Sequence, residues 1–342
     1  MDSIHNLRSL RLLGLAVCLA VAVLAGATAS SSEAAFPGQN GRIVFMTAID
    51  GNEELFDVQP DGSGLRNLTN STAVDFSPVY SPDGRHIAFG SYAQDPPGGG
   101  VPKNTGELFV MDADGSNARR ITFNTLPDWN PAWSPDGKRL VFARPQRQAL
   151  PDEFIPPTDL WIVDLRNGQE RQLTNSADTD DTRPQWSPDG QLIVFESDTN
   201  DPGNIDVYTI RPNGRDLRRI TTTPGFDGMP NYSPDGERIT FTSERAGNGD
   251  VFVMRADGSR QTRLTDDAIW DGLSAFSPDG RFIAYTSERD GEPYPDGSGF
   301  FFADIFRMRT DGRQITNLTR SPVLDDFDPD WQPINAGPSP PG

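Results

Sequence analysis

The chain has 342 residues, 35% of them apolar, with 33 glycines and 30 prolines, a composition that allows a large core but favours strands and turns over helices. Its net charge of -19 repels phosphate backbones and excludes nucleic acid as a partner. One cysteine and two histidines leave no disulfide and make zinc, copper and haem sites improbable.

The first predicted element is an export leader over residues 1–34. Arg8 and Arg11 precede an apolar run from Leu12 to Ala25, and small residues follow at Ala27, Ala29, Ser32 and Ala34. That order is a secretory signal, with cleavage expected after Ala29 or Ala34. The run is short for a bilayer, so no stable membrane span is expected after cleavage. Cys18 follows Val17, where a lipoprotein signal takes a small residue, so no lipid anchor is expected and the mature chain is free of cysteine.

Repeats follow. The string SPDG begins at Ser81, Ser134, Ser187, Ser233 and Ser277, at steps that match a four-stranded propeller blade of about 40–50 residues. Each SPDG follows a short segment ending in Tyr80, Trp133, Trp186, Tyr232 or Phe276. Pro-Asp-Gly reverses the chain because proline presets φ and glycine tolerates the left-handed step. An apolar strand comes next, such as Leu140-Val141-Phe142, and then a hairpin with an Asp-Gly or Asn-Gly turn at Gly62, Gly115, Gly168, Gly214, Gly258 or Gly312. The hairpin's outer strand ends in threonine, as at Thr122, Thr174, Thr221 and Thr265.

The chain ends complete one another. Residues 41–69 lack the segment before SPDG, and residues 326–333 supply only that segment. The reading is an all-β, six-bladed propeller over 35–334, with four antiparallel strands per blade. The C-terminal strand lies innermost in the N-terminal blade, which removes the bare strand edges that an open row would leave. Residues 335–342, rich in proline and glycine, read as a disordered tail.

The runs Pro131 to Phe142 and Asp250 to Thr265 resemble the TolB-like β-propeller repeat, and the resemblance covers about residues 37–333. It implies a protein-interaction scaffold in the cell envelope or outside it. The start Phe36-Pro37-Gly38-Gln39-Asn40-Gly41 resembles secreted members that are propeller only.

Chemistry is sparse. Prolyl-oligopeptidase-like relatives would need a G-x-S-x-G elbow and a histidine base, and neither is present. His86 sits at a variable strand start and reads as surface. A carboxylate-based hydrolase or lyase acting on carbohydrate or lactone stays open, but no acid pair stands out. Asp112-Ala113-Asp114-Gly115-Ser116 resembles the start of a calcium loop, yet it coincides with a hairpin turn and Phe123 replaces its terminal acid. No cofactor is therefore expected; calcium or a small ligand is the alternative.

The most informative polar signal is an aspartate before every innermost strand: Asp75, Asp128, Asp181, Asp227, Asp271 and Asp326. Six such carboxylates would ring one mouth of the channel. They would either brace the backbone locally or attract a cationic partner. Their neighbours vary between blades, and Phe76, Trp129 and Trp270 are candidate contact residues. Irregular loops at Gln94–Thr105, Pro145–Thr158 and Asp290–Phe300 add recognition surface. The expected function is an exported, non-catalytic, monomeric scaffold, periplasmic or extracellular, binding a protein or peptide at that mouth.

Overall fold

The computed structural model describes residues 36–49, 52–93, 106–149, 156–201, 203–294, 301–321 and 324–334. The predicted leader, the tail and the Gln94–Thr105 loop lie outside them. Among the described residues every regular element is a strand, and no helix is long and apolar enough to cross a membrane.

Six four-stranded antiparallel sheets form the blades. The first contains β1 (Gln39–Ile49), β2 (Asn52–Val58) and β3 (Arg66–Asn67). Blade 2 is β4 (Asp75–Tyr80), β5 (His86–Ser91), β6 (Glu107–Asp112) and β7 (Arg119–Arg120). Blade 3 is β8 (Trp129–Trp133), β9 (Arg139–Pro145), β10 (Thr158–Asp164) and β11 (Glu170–Gln172). Blade 4 is β12 (Asp181–Trp186), β13 (Ile193–Ser197), β14 (Asp206–Ile210) and β15 (Arg218–Arg219). Blade 5 is β16 (Asp227–Tyr232), β17 (Arg238–Ser243), β18 (Asp250–Arg255) and β19 (Thr262–Arg263). Blade 6 is β20 (Asp271–Phe276), β21 (Phe282–Ser287), β22 (Asp304–Arg309) and β23 (Thr316–Asn317). The last strand, β24 (Asp326–Ile334), pairs with β1 and completes blade 1, so the ring closes as its repeats predict.

The core lies between blades. Val44, Met46 and Leu55 of blade 1 pack with Tyr80, Ile87 and Phe89 of blade 2, and the same mixing recurs around the ring. A blade buries its apolar faces only against its neighbours, so a lone repeat has nowhere to put them. Aromatic pairs link the second and third strands, as in Phe89–Phe109, Phe195–Tyr208 and Phe241–Phe252, at centroid distances of 5.6–5.9 Å.

The SPDG turn is a closed hydrogen-bond unit. Ser134 Oγ donates to Asp136 Oδ1 at 2.6 Å and accepts the Arg139 N–H at 3.0 Å. Gly137 follows at φ 67°, the left-handed step glycine takes without strain. In blade 1 no such turn joins the inner and second strands, and Gln332 takes the serine's place. It accepts the Arg42 N–H at 3.3 Å and donates to Gly84 O at 2.8 Å, tying both strands to blade 2.

Candidate functional site: the loop-bearing face

Strand register decides which ends meet. The first residue of an inner strand pairs with the last of the second strand, as in Asp75 with Ser91, Asp227 with Ser243 and Asp271 with Ser287. The six aspartates and the connections between second and third strands therefore share one face. The SPDG and Asp-Gly turns occupy the other, as does an open cleft of about 420 Å³ lined by Asp83, Gly84, Arg85, Gln332, Pro333 and Ile334. The described ends of the irregular segments Pro145–Thr158 and Asp290–Phe300 lie on the aspartate face.

Asp75, Asp128, Asp181, Asp227, Asp271 and Asp326 are all brought together in one tier, and all are buried, at most 3% exposed. Ser197 donates to Asp181 and Ser243 to Asp227, each at 2.6 Å. Three blades add a cation: Arg144 grips Asp128 through Nε at 2.6 Å and Nη2 at 2.9 Å, and Arg245 and Arg289 reach Asp227 and Asp271. Each of these guanidinium groups also lies over its own blade's aromatic pair, for example Arg245 over Phe241 and Phe252. Burial pushes Asp75, Asp181 and Asp271 up to about 6, against the pull of their serine hydroxyls, and Asp326 to about 7. These carboxyl groups accept hydrogen bonds inside their own blades and are turned away from solvent.

A second acid tier escaped the sequence reading. Glu54, Glu107, Asp159, Asp206, Asp250 and Asp304 lie within the first three residues of the third strands, and each accepts from a threonine fifteen residues later. The threonine oxygen in turn accepts a backbone N–H, as Thr221 does from Val207 at 2.9 Å. The constant spacing of acid and threonine was the available signal. It explains why threonine ends each repeat.

Beyond each aspartate the inner strand bulges. Ser77, Asn130, Arg183, Met229, Leu273 and Asp328 all have left-handed φ, between 51° and 56°. The ladder slips there, for example between Gly228 and Asn231. Side chains at this register vary while the backbone does not. Arg183 Nε pairs with Glu196 at 3.0 Å. Met229 and Leu273 pack with Phe226, and half-buried Ile205, Trp270 and Phe327 cover them.

Of the expected contact residues, Phe76 is fully buried, pressed on Gly90 and tilted against Tyr92 at 5.4 Å. A contact role for Phe76 therefore needs the side chain to leave the core. Trp129 and Trp270 are half-buried, Trp129 between two inter-blade clusters and Trp270 over Gly249 and Gly272. Phe123, not selected from sequence, is 67% exposed and stacks on Arg120 at 4.8 Å. Arg120 is itself held by Glu107 at 2.7 Å.

For metals, no cluster of three or more His, Cys, Asp or Glu side chains suited to an ion occurs among the described residues. The Asp112–Ser116 segment is a hairpin turn: Asp114 accepts from Ser116, and Asp112 from Asn117.

The family model of the TolB beta propeller domain matches this sequence at residues 19–155, 131–224, 199–292 and 222–321. The chain belongs to this family. A protein TolB homolog of Chlorobium luteolum is 31% identical over 205 residues, which are 50% of this chain and 45% of that one. The chain thus spans under half the length of that relative. TolB from Acinetobacter baumannii superposes with a TM-score of 0.69 at 23% identity, covering 87% of this chain and 68% of that one. A putative TolB from Agrobacterium tumefaciens gives 0.62 at 18%, covering 86% and 99%. At these identities the superpositions speak for the fold.

Proposed function

We propose that this TolB-family propeller is an exported, non-catalytic scaffold that binds a protein or peptide on its loop-bearing face. The observation that carries the reading is the half-exposed apolar set on that face. Trp270, Phe327 and Ile205 surround Met229 and Leu273, and Phe123 stands out on a clamped arginine. Aromatic anchors held rigid by their surroundings lose little entropy on binding and concentrate affinity. The buried aspartates hold the frame, and the net charge of -19 favours a partner with basic residues. Export rests on the leader, and N-terminal sequencing of protein recovered from the envelope or medium tests it.

For binding, the mature chain is cross-linked in native envelope and medium, and the captured partner is then titrated. Phe123→Ala and Trp270→Ala should weaken it at least tenfold, while Ile334→Ser on the opposite face should not. Equal affinity for all three variants would remove the loop-bearing face from the reading. Asp181→Asn, isosteric and buried, should leave affinity within twofold if the aspartates act as a frame.

A further inference from the structure

The segment Phe36–Asn40 makes contacts that neither its own blade nor the β-ladder requires. Gly38 N–H donates to Pro278 O at 3.2 Å, on the turn after β20 in blade 6. Asn40 Oδ1 accepts the Asp279 N–H from the same turn at 3.1 Å. Gln39 and Asn40 pair with Ile334 and Pro333 at the end of β24, and Gly38 lies so close that a Cβ would sit 3.1 Å from Ile334 O. Yet Phe36 is only 4% exposed, in the cluster that contains Val79 of β4 and Trp133 of β8. Those are inner strands of blades 2 and 3. Within a few residues the chain runs from blade 6, past blade 1, to the inner edge of blades 2 and 3. That path crosses the turn-bearing end of the channel.

The physical need is clear at the seam. In blades 2 to 6 a covalent SPDG turn joins inner and second strands. In blade 1 these strands come from opposite ends of the sequence, so only non-covalent bonds hold them together.

We propose that Phe36–Asn40 is a strap that locks the ring's seam and caps the channel on the turn-bearing face, so that the channel opens only toward the loops. The strap acts as one unit, with Phe36 as its plug and Gly38 and Asn40 as its tether. It takes in the first two residues of β1, and the β24–β1 pairing from Ile43 onward remains when the strap lifts. A channel closed at that end receives the tip of a partner from the loop side and does not pass a chain through.

Amide hydrogen exchange under native conditions on the full chain tests the lock. Phe36→Ala should speed exchange at Gly38 and Asp279 at least tenfold, while amides of β10 and β14 stay within twofold. Phe36→Leu should restore most of the protection. Asn40→Ala, which leaves the plug intact, should speed both Asp279 and Gly38. Equal acceleration in β10 and β14 would make Phe36 an ordinary part of the common core. Unchanged protection at Gly38 in either variant would show that the strap is not a unit. For the cap, Val79→Cys in a Cys18→Ser background should react with a maleimide at least tenfold faster once Phe36 is alanine. An unchanged rate would overturn the cap.

Discussion

Asp330→Asn is the sharpest test of how the seam tolerates charge. Asp330 lies in β24 at the register held by Val79, Ala132, Gln185, Asn231 and Ala275 in the other blades. It is 1% exposed, and its Oδ2 accepts the Tyr80 N–H of blade 2 at 2.8 Å. Burial pushes its carboxyl up to about 8, from an ordinary 3.8. The folded state therefore holds a proton that the unfolded chain releases above about 4. The linkage sign follows: folded protein binds more protons, so stability from this group is lost as pH rises from about 4 toward 8. Each tenfold excess of the shifted constant is worth about 1.4 kcal/mol, which places the cost at neutral pH at a few kcal/mol at most. Asparagine keeps the acceptor for Tyr80 N–H and cannot ionise. We expect the advantage of Asp330→Asn over the parent to grow by about 1.4 kcal/mol for each pH unit above about 4 and to level off near 8, from about 1 kcal/mol at pH 4.5 to several kcal/mol at pH 8. Denaturant unfolding at the two pH values measures this. A variant that is less stable at pH 8, or whose advantage is the same at both pH values, would refute the assignment of the cost to ionisation.

Other outcomes follow from the same geometry. The parent itself should melt at lower temperature at pH 8 than at pH 5, because burial also holds Asp326 near 7 and Asp75, Asp128, Asp181 and Asp271 near 6; a flat profile by calorimetry would contradict this. Gly84 and Gly137 occupy the same turn position at φ 68° and 67°, but a Cβ on Gly84 would meet Pro333 O at 2.1 Å, whereas Gly137 has nothing within 4 Å. Gly84→Ala should thus cost about 2 kcal/mol more than Gly137→Ala in chemical denaturation, and equal costs would count against the tight seam. Thr221→Val keeps the shape but removes the acceptor for Val207 N–H and the donor to Asp206. It should destabilise by about 1–3 kcal/mol, and a loss under 0.5 would demote the acid–threonine bond.

Blade count, strand order and ring closure were legible in the sequence because the signals are local. SPDG, the aromatic before it and Asp-Gly set turns within a few residues, and split ends of matching type imply a joined blade. The acid–threonine bond was equally local and could have been found from its spacing. Other features were not local. Whether Asp181 faces water or Ser197 depends on how β12 registers against β13, and whether Phe76 is an anchor or core depends on Gly90 beneath it. Phe123 looked unremarkable because only the Arg120 stack holds it outward.

The repeated residues of this chain determined its architecture by themselves, since the blade is a short-range pattern that needs only neighbours like itself. The closed ring decided the rest. Burial of the aspartates, the shared face of the loops and the reach of Phe36 to Val79 and Trp133 depend on surfaces from different blades. They meet only when the sheets pack, because burial is a property of the assembled volume and not of any stretch of chain.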